Sequence, residues 1–406
     1  MPRPTPESES VVGRRLLACG FSLIVILATG LAGAVSEAAR GPVAVAGGSG
    51  LEAAYIRYSG QGSRDLIAIP DNGQVKAELA RLTEEVLREI RNAAPGTSVV
   101  DTVRTVLLSK EGFAYDPVAG NPENYLLGAV LARKKGNCLG LTMLCLVIAE
   151  RLDAPLRGVY VPSHCFVRFE GGGGCVNVEF SDRGANWPEQ RYRSVFALGA
   201  DRPYLRSLEP HQMLAVFLKS LGAAYSRRGR ETEALRLYEE AERLYAELPD
   251  VHYNAGVALQ KMGRKEEAIA RYREAIALDP ELAAPRENLS ILLAEQGMFA
   301  EAIEQARLAV ELEPRSAVSR GNLARAYCAG GRYDEGIREY RAAAELDPGS
   351  APIRAGLTRA LFARGAYRDA ARECDRAARL GCRFEPSMLE KLSRYRDPGP
   401  LPDDSR

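Results

Sequence analysis

Five glycines, Gly229, Gly263, Gly297, Gly331 and Gly365, stand 34 residues apart, and this spacing constrains the C-terminal half of the 406-residue chain more than any other feature. Two further series keep the interval: Ala234, Ala268, Ala302, Gly336 and Ala370, and then Ala241, Ala275, Ala309, Ala343 and Ala377. Pro280, Pro314 and Pro348 follow "ALD", "ELE" and "ELD" at the same spacing. A fixed period of this length means one small unit repeated, which buries its apolar face by stacking on its neighbours. The glycine opens a turn between two helices, the small residues let the helices cross closely, and the proline stops the second helix. Five such units fit between residues 211 and 382, with 383–406 as a tail.

This period and small-residue pattern resemble the tetratricopeptide repeat, which implies an all-α superhelix whose concave groove receives a protein partner. Tyr225, Tyr238, Tyr253, Tyr272, Tyr327 and Tyr340 recur at helix-packing positions and are expected in the core. His211 and His252 fall at or inside the array and read as ordinary packing or surface residues.

A net charge of +1 provides no field for nucleic acid, so none is expected as a partner. At the N-terminus Arg14 and Arg15 precede an uncharged run from Leu16 to Val35, with Ala32-Gly33-Ala34 as a cleavage-like site. Residues 1–35 therefore read as a signal peptide or signal anchor, which places the rest outside the cytoplasm, with the membrane touched only through this segment. A Gly/Ala-rich stretch follows, and residues 36–75 are expected to be a poorly ordered linker. Seven cysteines lie beyond the leader, an odd number with no Cys-x-x-Cys, which argues against a zinc site or a disulfide scaffold and is compatible with a reactive thiol.

The segment 76–205 has a different texture. Leu79, Leu82, Val86, Leu87 and Ile90 share one helical face, and two more helical stretches follow. In "KKGNCLGLTMLCLVIAERL", Asn137 is a good N-cap, so a buried apolar helix begins at or next to Cys138, where the helix dipole and free N–H groups favour thiolate. "GVYVPSHCFVRFEGGGGCVNVEFSD" reads as two strands joined by a glycine turn. Cys165, Val167 and Phe169 share a face, as do Val176, Val178 and Phe180 in the second strand. Matching these apolar faces puts His164 and Glu179 together on the other side, opposite or diagonal. A carboxylate beside an imidazole orients it as a general base. The same parity places Cys165 on the wrong face for this site and argues against a Cys165–Cys175 disulfide. It also spreads Cys138, His164 and Cys175 too far apart to bind zinc, so no metal or cofactor is expected.

"VLLSKEGFAYDP", "NYLLGAVLARKKGNCLGLTMLCLVIAERLDAPLRGVYVPSHCFVRF" and "NVEF" together resemble the transglutaminase-like superfamily, in the bacterial branch that often joins this core to tetratricopeptide repeats. The resemblance implies an α+β, papain-like domain followed by the all-α array. It implies a thiol enzyme with Cys138 as nucleophile, His164 as base and Glu179 orienting the His, where Asp is the usual residue and Asp182 is a second candidate. Asn137, the Cys138 backbone N–H and the Asn124 side chain are the expected supports, the last two as oxyanion donors. Trp187 either lines a substrate groove or packs. The reaction expected is attack on a protein or peptide amide through an acyl-enzyme, as a cysteine peptidase, amidase or acyl transferase. Some members of the branch lack the cysteine, so a catalytically silent scaffold for protein–protein interaction is the alternative.

Overall fold

Asp71 begins the helical core of the N-terminal region by accepting from the N–H groups of Gly73 and Gln74, which caps a helix over Asn72–Asn92. The computed structural model describes residues 50–396 apart from 67–70, 95, 119, 172–173, 200–201 and 203. The expected leader, residues 1–35, lies outside the described residues. Among those described, no helix is long and apolar enough to cross a membrane. The chain divides into two units, with the boundary between Phe217 and Leu218.

In the first unit the helices are α1 (Leu51–Leu66), α2 (Asn72–Asn92), α3 (Val99–Arg104, running on as a π-helix over Thr105–Lys110), α4 (Leu127–Arg133), α5 (Cys138–Arg151), α6 (Glu189–Val195) and the start of α7 (Pro210–Ser226). A four-stranded sheet is ordered β5-β4-β3-β6, from β3 (Leu156–Val161), β4 (His164–Gly171), β5 (Gly174–Val178) and β6 (Ser207–Leu208). Two short strands, β1 (Ala114–Tyr115) and β2 (Lys135–Gly136), pair in parallel just before α5. All of α5 from Cys138 to Ala149 is buried, as its unbroken apolar sequence requires.

Two expectations change here. Residues 51–66 are not linker: Leu51, Tyr55 and Ile56 bury one side of α1, Tyr55 donates its hydroxyl to the Tyr125 carbonyl at 2.6 Å, and Glu150 caps the helix by accepting from the N–H groups of Leu51 and Glu52. The glycines of "YSGQGS" hide this helix from a periodicity reading, but contacts remote in sequence hold it. The stretch read as two strands is three, because Val161 pairs with His164 across a tight turn in which Ser163 adopts φ 66°.

In the second unit the helices after α7 are α8 (Glu231–Leu244), α9 (Pro249–Lys261), α10 (Lys265–Leu278), α11 (Ala283–Glu295), α12 (Phe299–Leu312), α13 (Ala317–Ala329), α14 (Tyr333–Leu346), α15 (Ala351–Arg364), α16 (Tyr367–Arg379) and α17 (Pro386–Ser393). The five spaced glycines sit in the turns within pairs at φ between 72° and 81°, a left-handed conformation that side chains resist. Ala241, Ala275, Ala309, Ala343 and Ala377 are fully buried where helices cross. Gly336 replaces an alanine because a Cβ there would lie 2.3 Å from Cys328 Sγ.

A second repeated device ties the two helices of a pair to the turn before them. Arg286, Arg320 and Arg354 each donate to the carbonyl of the proline six residues earlier and to Gln305, Glu339 and Glu373 respectively. His252 occupies the equivalent position one period earlier and bonds the Ala246 carbonyl at 2.7 Å and Glu274 at 3.1 Å. Residues 386–393, expected as tail, form α17 instead. It buries Met388 and Leu392 against Leu357, Leu361 and Cys374, closing the apolar face that a last repeat leaves open.

Candidate active site

Cys138 is the first residue of α5, and its placement follows from the residues before it. β2 brings the chain in alongside β1, the Asn137 N–H donates to the Asn124 carbonyl at 2.9 Å, and the Asn137 side chain accepts from the Gly140 N–H at 2.9 Å. Asn137 is thus the N-cap, and the Asn124 carbonyl is its anchor. Gly140 is required at this turn, because a Cβ would stand 2.2 Å from the same carbonyl oxygen.

His164 opens β4, and Glu179 follows the last residue of β5. The β4–β5 register, Val167 opposite Val178 and Arg168 opposite Asn177, puts Glu179 diagonally across from His164. His164 Nε2 and Glu179 Oε2 are 2.7 Å apart, both side chains buried. The other Glu179 oxygen accepts from the Ser181 N–H and hydroxyl. Pairing through Nε2 leaves Nδ1 for the Cys138 thiol, with which His164 also hydrogen-bonds. The imidazole stacks on Phe196 with centroids 5.0 Å apart, and the Phe166 ring stacks on Tyr192 at 3.9 Å.

These contacts tune the charges. The contact with Cys165 and the His164 ring beside the sulfur together hold the Cys138 thiol well below the ordinary cysteine range although burial opposes them. Burial pulls the His164 pKa down, but the hydrogen bonds to Cys138 and Glu179 outweigh it and raise the value to about 9. Burial pushes the Glu179 carboxyl up, and the bonds from His164 and Ser181 bring it below its usual value. The site thus favours a thiolate–imidazolium pair braced by an ionised carboxylate.

Several expected residues are elsewhere. The Asn124 amide is fully buried and committed: it donates to the Val118 carbonyl and to Asp116, and its oxygen accepts from Arg133. It shapes the loop before α5 and is not an oxyanion donor. Asp182 does not compete for His164, because it accepts from Trp187 Nε1 at 2.7 Å and stands half exposed. Trp187 packs between the Arg191 guanidinium and the Tyr192 ring. Cys175 is exposed opposite Glu170, and Cys165 is a free thiol.

Cys165 requires a correction. Strand parity assigns it to the face opposite His164, which holds, but α5 lies on the Cys165 face, so the Cys138 sulfur at the helix end meets both residues. Parity sorts side chains within a sheet and says nothing about which face the next layer covers. Tyr115 was also missed. Its register position beside Gly136 brings the phenol near Cys138 and Glu179, and burial followed by these negative groups raises its pKa. Tyr192, whose buried hydroxyl has no well-aligned partner, lies against the Glu179 carboxylate. A two-residue strand and a seven-residue helix carry no periodic signal that would have revealed either.

Residues 73–218 match the family model of the transglutaminase-like superfamily, and residues 215–248, 249–282 and 329–380 match models of the tetratricopeptide repeat. Two UPF0162 proteins of Xylella fastidiosa, from strains Temecula1 and 9a5c, are each 28% identical over 146 residues, which is 34% of this chain and 52% of theirs. The chain therefore spans about half the length of the curated relatives it matches. Among solved structures, MamA 41-end from Desulfovibrio magneticus RS-1 is 22% identical, covers 41% of this chain and 94% of its own, and has a TM-score of 0.39. Pseudomonas aeruginosa pilF is 20% identical, with coverage of 46% and 86% and a TM-score of 0.42.

Proposed function

We propose that this chain, which carries a transglutaminase-like domain followed by tetratricopeptide repeats, is a thiol-dependent enzyme acting on amide bonds of proteins or peptides. The observation that carries the reading is the buried His164–Glu179 pair, bonded through Nε2, with the Cys138 thiol at a helix N-terminus on the other side of the imidazole.

Cys138 Sγ attacks the substrate carbonyl carbon, and the charge that develops on its oxygen meets the Cys138 backbone N–H. The C–N bond breaks as His164 passes a proton from Nδ1 to the leaving amine, leaving a thioester on Cys138. Water or a second amine then attacks the thioester, giving a proton back to His164 and freeing the thiolate. Glu179 keeps the ring oriented and its cation stabilised throughout. Hydrolysis is the expected outcome, since water is always present. The repeat array recruits the protein on which the enzyme acts, and the whole works outside the cytoplasm behind the N-terminal leader.

Peptide-library profiling of the purified protein beside its Cys138→Ala form tests the reading. Cleavage or transfer products should vanish in the variant. Identical profiles would leave only a binding scaffold.

A further inference from the structure

The β4–β5 ladder stops one pair too early for Cys165. The pairs Gly171–Gly174, Phe169–Val176 and Val167–Val178 run back along β4 at every second residue, and Cys165 comes next in the series. Its partner would be Phe180, but β5 ends at Val178 and Phe180–Asp182 turn into a 3-10 helix. Glu179 bridges to Ala185 instead, its N–H donating to the Ala185 carbonyl at 3.0 Å. The backbone N–H of Cys165 is thereby released from the sheet, and the Cys138 sulfur accepts it. The side chain of Cys165 meets the same sulfur. Its thiol is 2% exposed and rests under α5, where Thr142, one turn beyond Cys138, lies against it.

We infer that Cys165 is a positioning residue for Cys138: its thiol and its backbone N–H both donate to Cys138 Sγ and hold that sulfur as a thiolate beside His164. The inference deepens the proposed function and rests on Cys138 being the nucleophile. The two thiols have unequal roles because burial keeps Cys165 protonated, so it is the donor and Cys138 the acceptor. The other titratable groups around this sulfur are His164 on β4, Glu179 behind it and Tyr115 on β1. Of these only His164 also donates to the sulfur, so removing the Cys165 thiol removes one of the two side-chain donors.

The test is the pH dependence of Cys138 alkylation by iodoacetamide in the full chain, read peptide by peptide so that exposed Cys175 does not interfere. Wild type, Cys165→Ala, Cys165→Ser and His164→Ala are compared. Cys165→Ala should move the Cys138 midpoint up by about one pH unit, a roughly tenfold slower reaction on the acid side. Cys165→Ser keeps an O–H donor and should recover all but about threefold of that loss. Fluorescence of Trp187, the single tryptophan, reports whether each variant is folded. If Cys165→Ala does not fold, the serine variant decides, since it should titrate near wild type.

A midpoint unmoved in folded Cys165→Ala, or a serine variant displaced as far as alanine, would overturn the donor role while His164→Ala still shifted the curve. Failure of the catalytic reading looks different: Cys138→Ala would leave turnover unchanged, yet the midpoint shifts would remain measurable.

Discussion

Gly140→Ala probes how tightly the catalytic helix is seated. The added Cβ would lie 2.2 Å from the Asn124 carbonyl oxygen and 3.0 Å from both Tyr125 Cα and Val130 Cγ2. The nearest obstacle is backbone, so no side chain can swing away, and the first turn of α5 must retreat by roughly 1 Å to restore a van der Waals contact. The same carbonyl accepts the Asn137 N–H at 2.9 Å, so the retreat loosens the bond that anchors the N-cap. Overpacking of this kind costs about 1–3 kcal/mol, and weakening a buried hydrogen bond adds roughly 0.5–1.5 kcal/mol. Alanine returns about 1 kcal/mol of helix propensity. The net is a destabilisation of about 0.5–3.5 kcal/mol.

Urea unfolding followed by Trp187 fluorescence isolates the first unit, because this tryptophan lies in it and is the only one. With a slope of about 1–3 kcal/mol per molar urea, the midpoint should fall by about 1 M. Gly174→Ala is the control: its Cβ meets nothing within 4 Å and its φ is ordinary, so its midpoint should stay at wild type. A Gly140→Ala midpoint equal to that of the control would refute the close seating, and with it the account of why a glycine follows the nucleophile by two residues.

Arg151→Met should destabilise the first unit by about 3–5 kcal/mol, because it strands the Glu52 carboxylate, which Arg151 meets through two 2.6 Å bonds with both side chains buried. Adding Glu52→Leu should return most of the loss in the same urea assay, and a double variant no more stable than the single one would contradict the pairing. Glu179→Gln removes the charge that helps keep His164 protonated up to about 9. The imidazolium should then lose its proton at lower pH, while the thiolate, with one anion fewer nearby, forms at no higher pH than in wild type. The pH window in which thiolate and imidazolium coexist, read by Cys138 alkylation, should shorten at its alkaline limb by about one unit. An alkaline limb that stays in place would show that Glu179 is not the partner that matters.

How much of the site was legible can be judged residue by residue. The thiol at the start of α5 followed from Asn137 and the apolar run after it, since an N-cap residue and a helix it begins are neighbours in sequence. The meeting of His164 with Glu179 followed from alternation alone, because strand parity fixes which side chains share a face whatever the rest of the fold does. Asn124 was misjudged because an amide's partners, here Val118, Asp116 and Arg133, come from a loop and a helix whose folding carries no short-range signal. The helix over 51–66 was missed for a related reason: two glycines weaken its local pattern, and Tyr125 and Glu150, distant in sequence, stabilise it.

By itself the sequence determined whatever repeats or alternates: the 34-residue period, the left-handed glycines within helix pairs, and the shared face of His164 and Glu179. These rest on interactions a few residues long, or on a period that makes every unit pack like the last. Only the tertiary structure decided that α5 lies on the Cys165 side of the sheet. That choice brings a second thiol and a released N–H to the Cys138 sulfur. Layer packing depends on the apolar surfaces of whole elements and on where strands end, and neither is written in any one stretch of the chain.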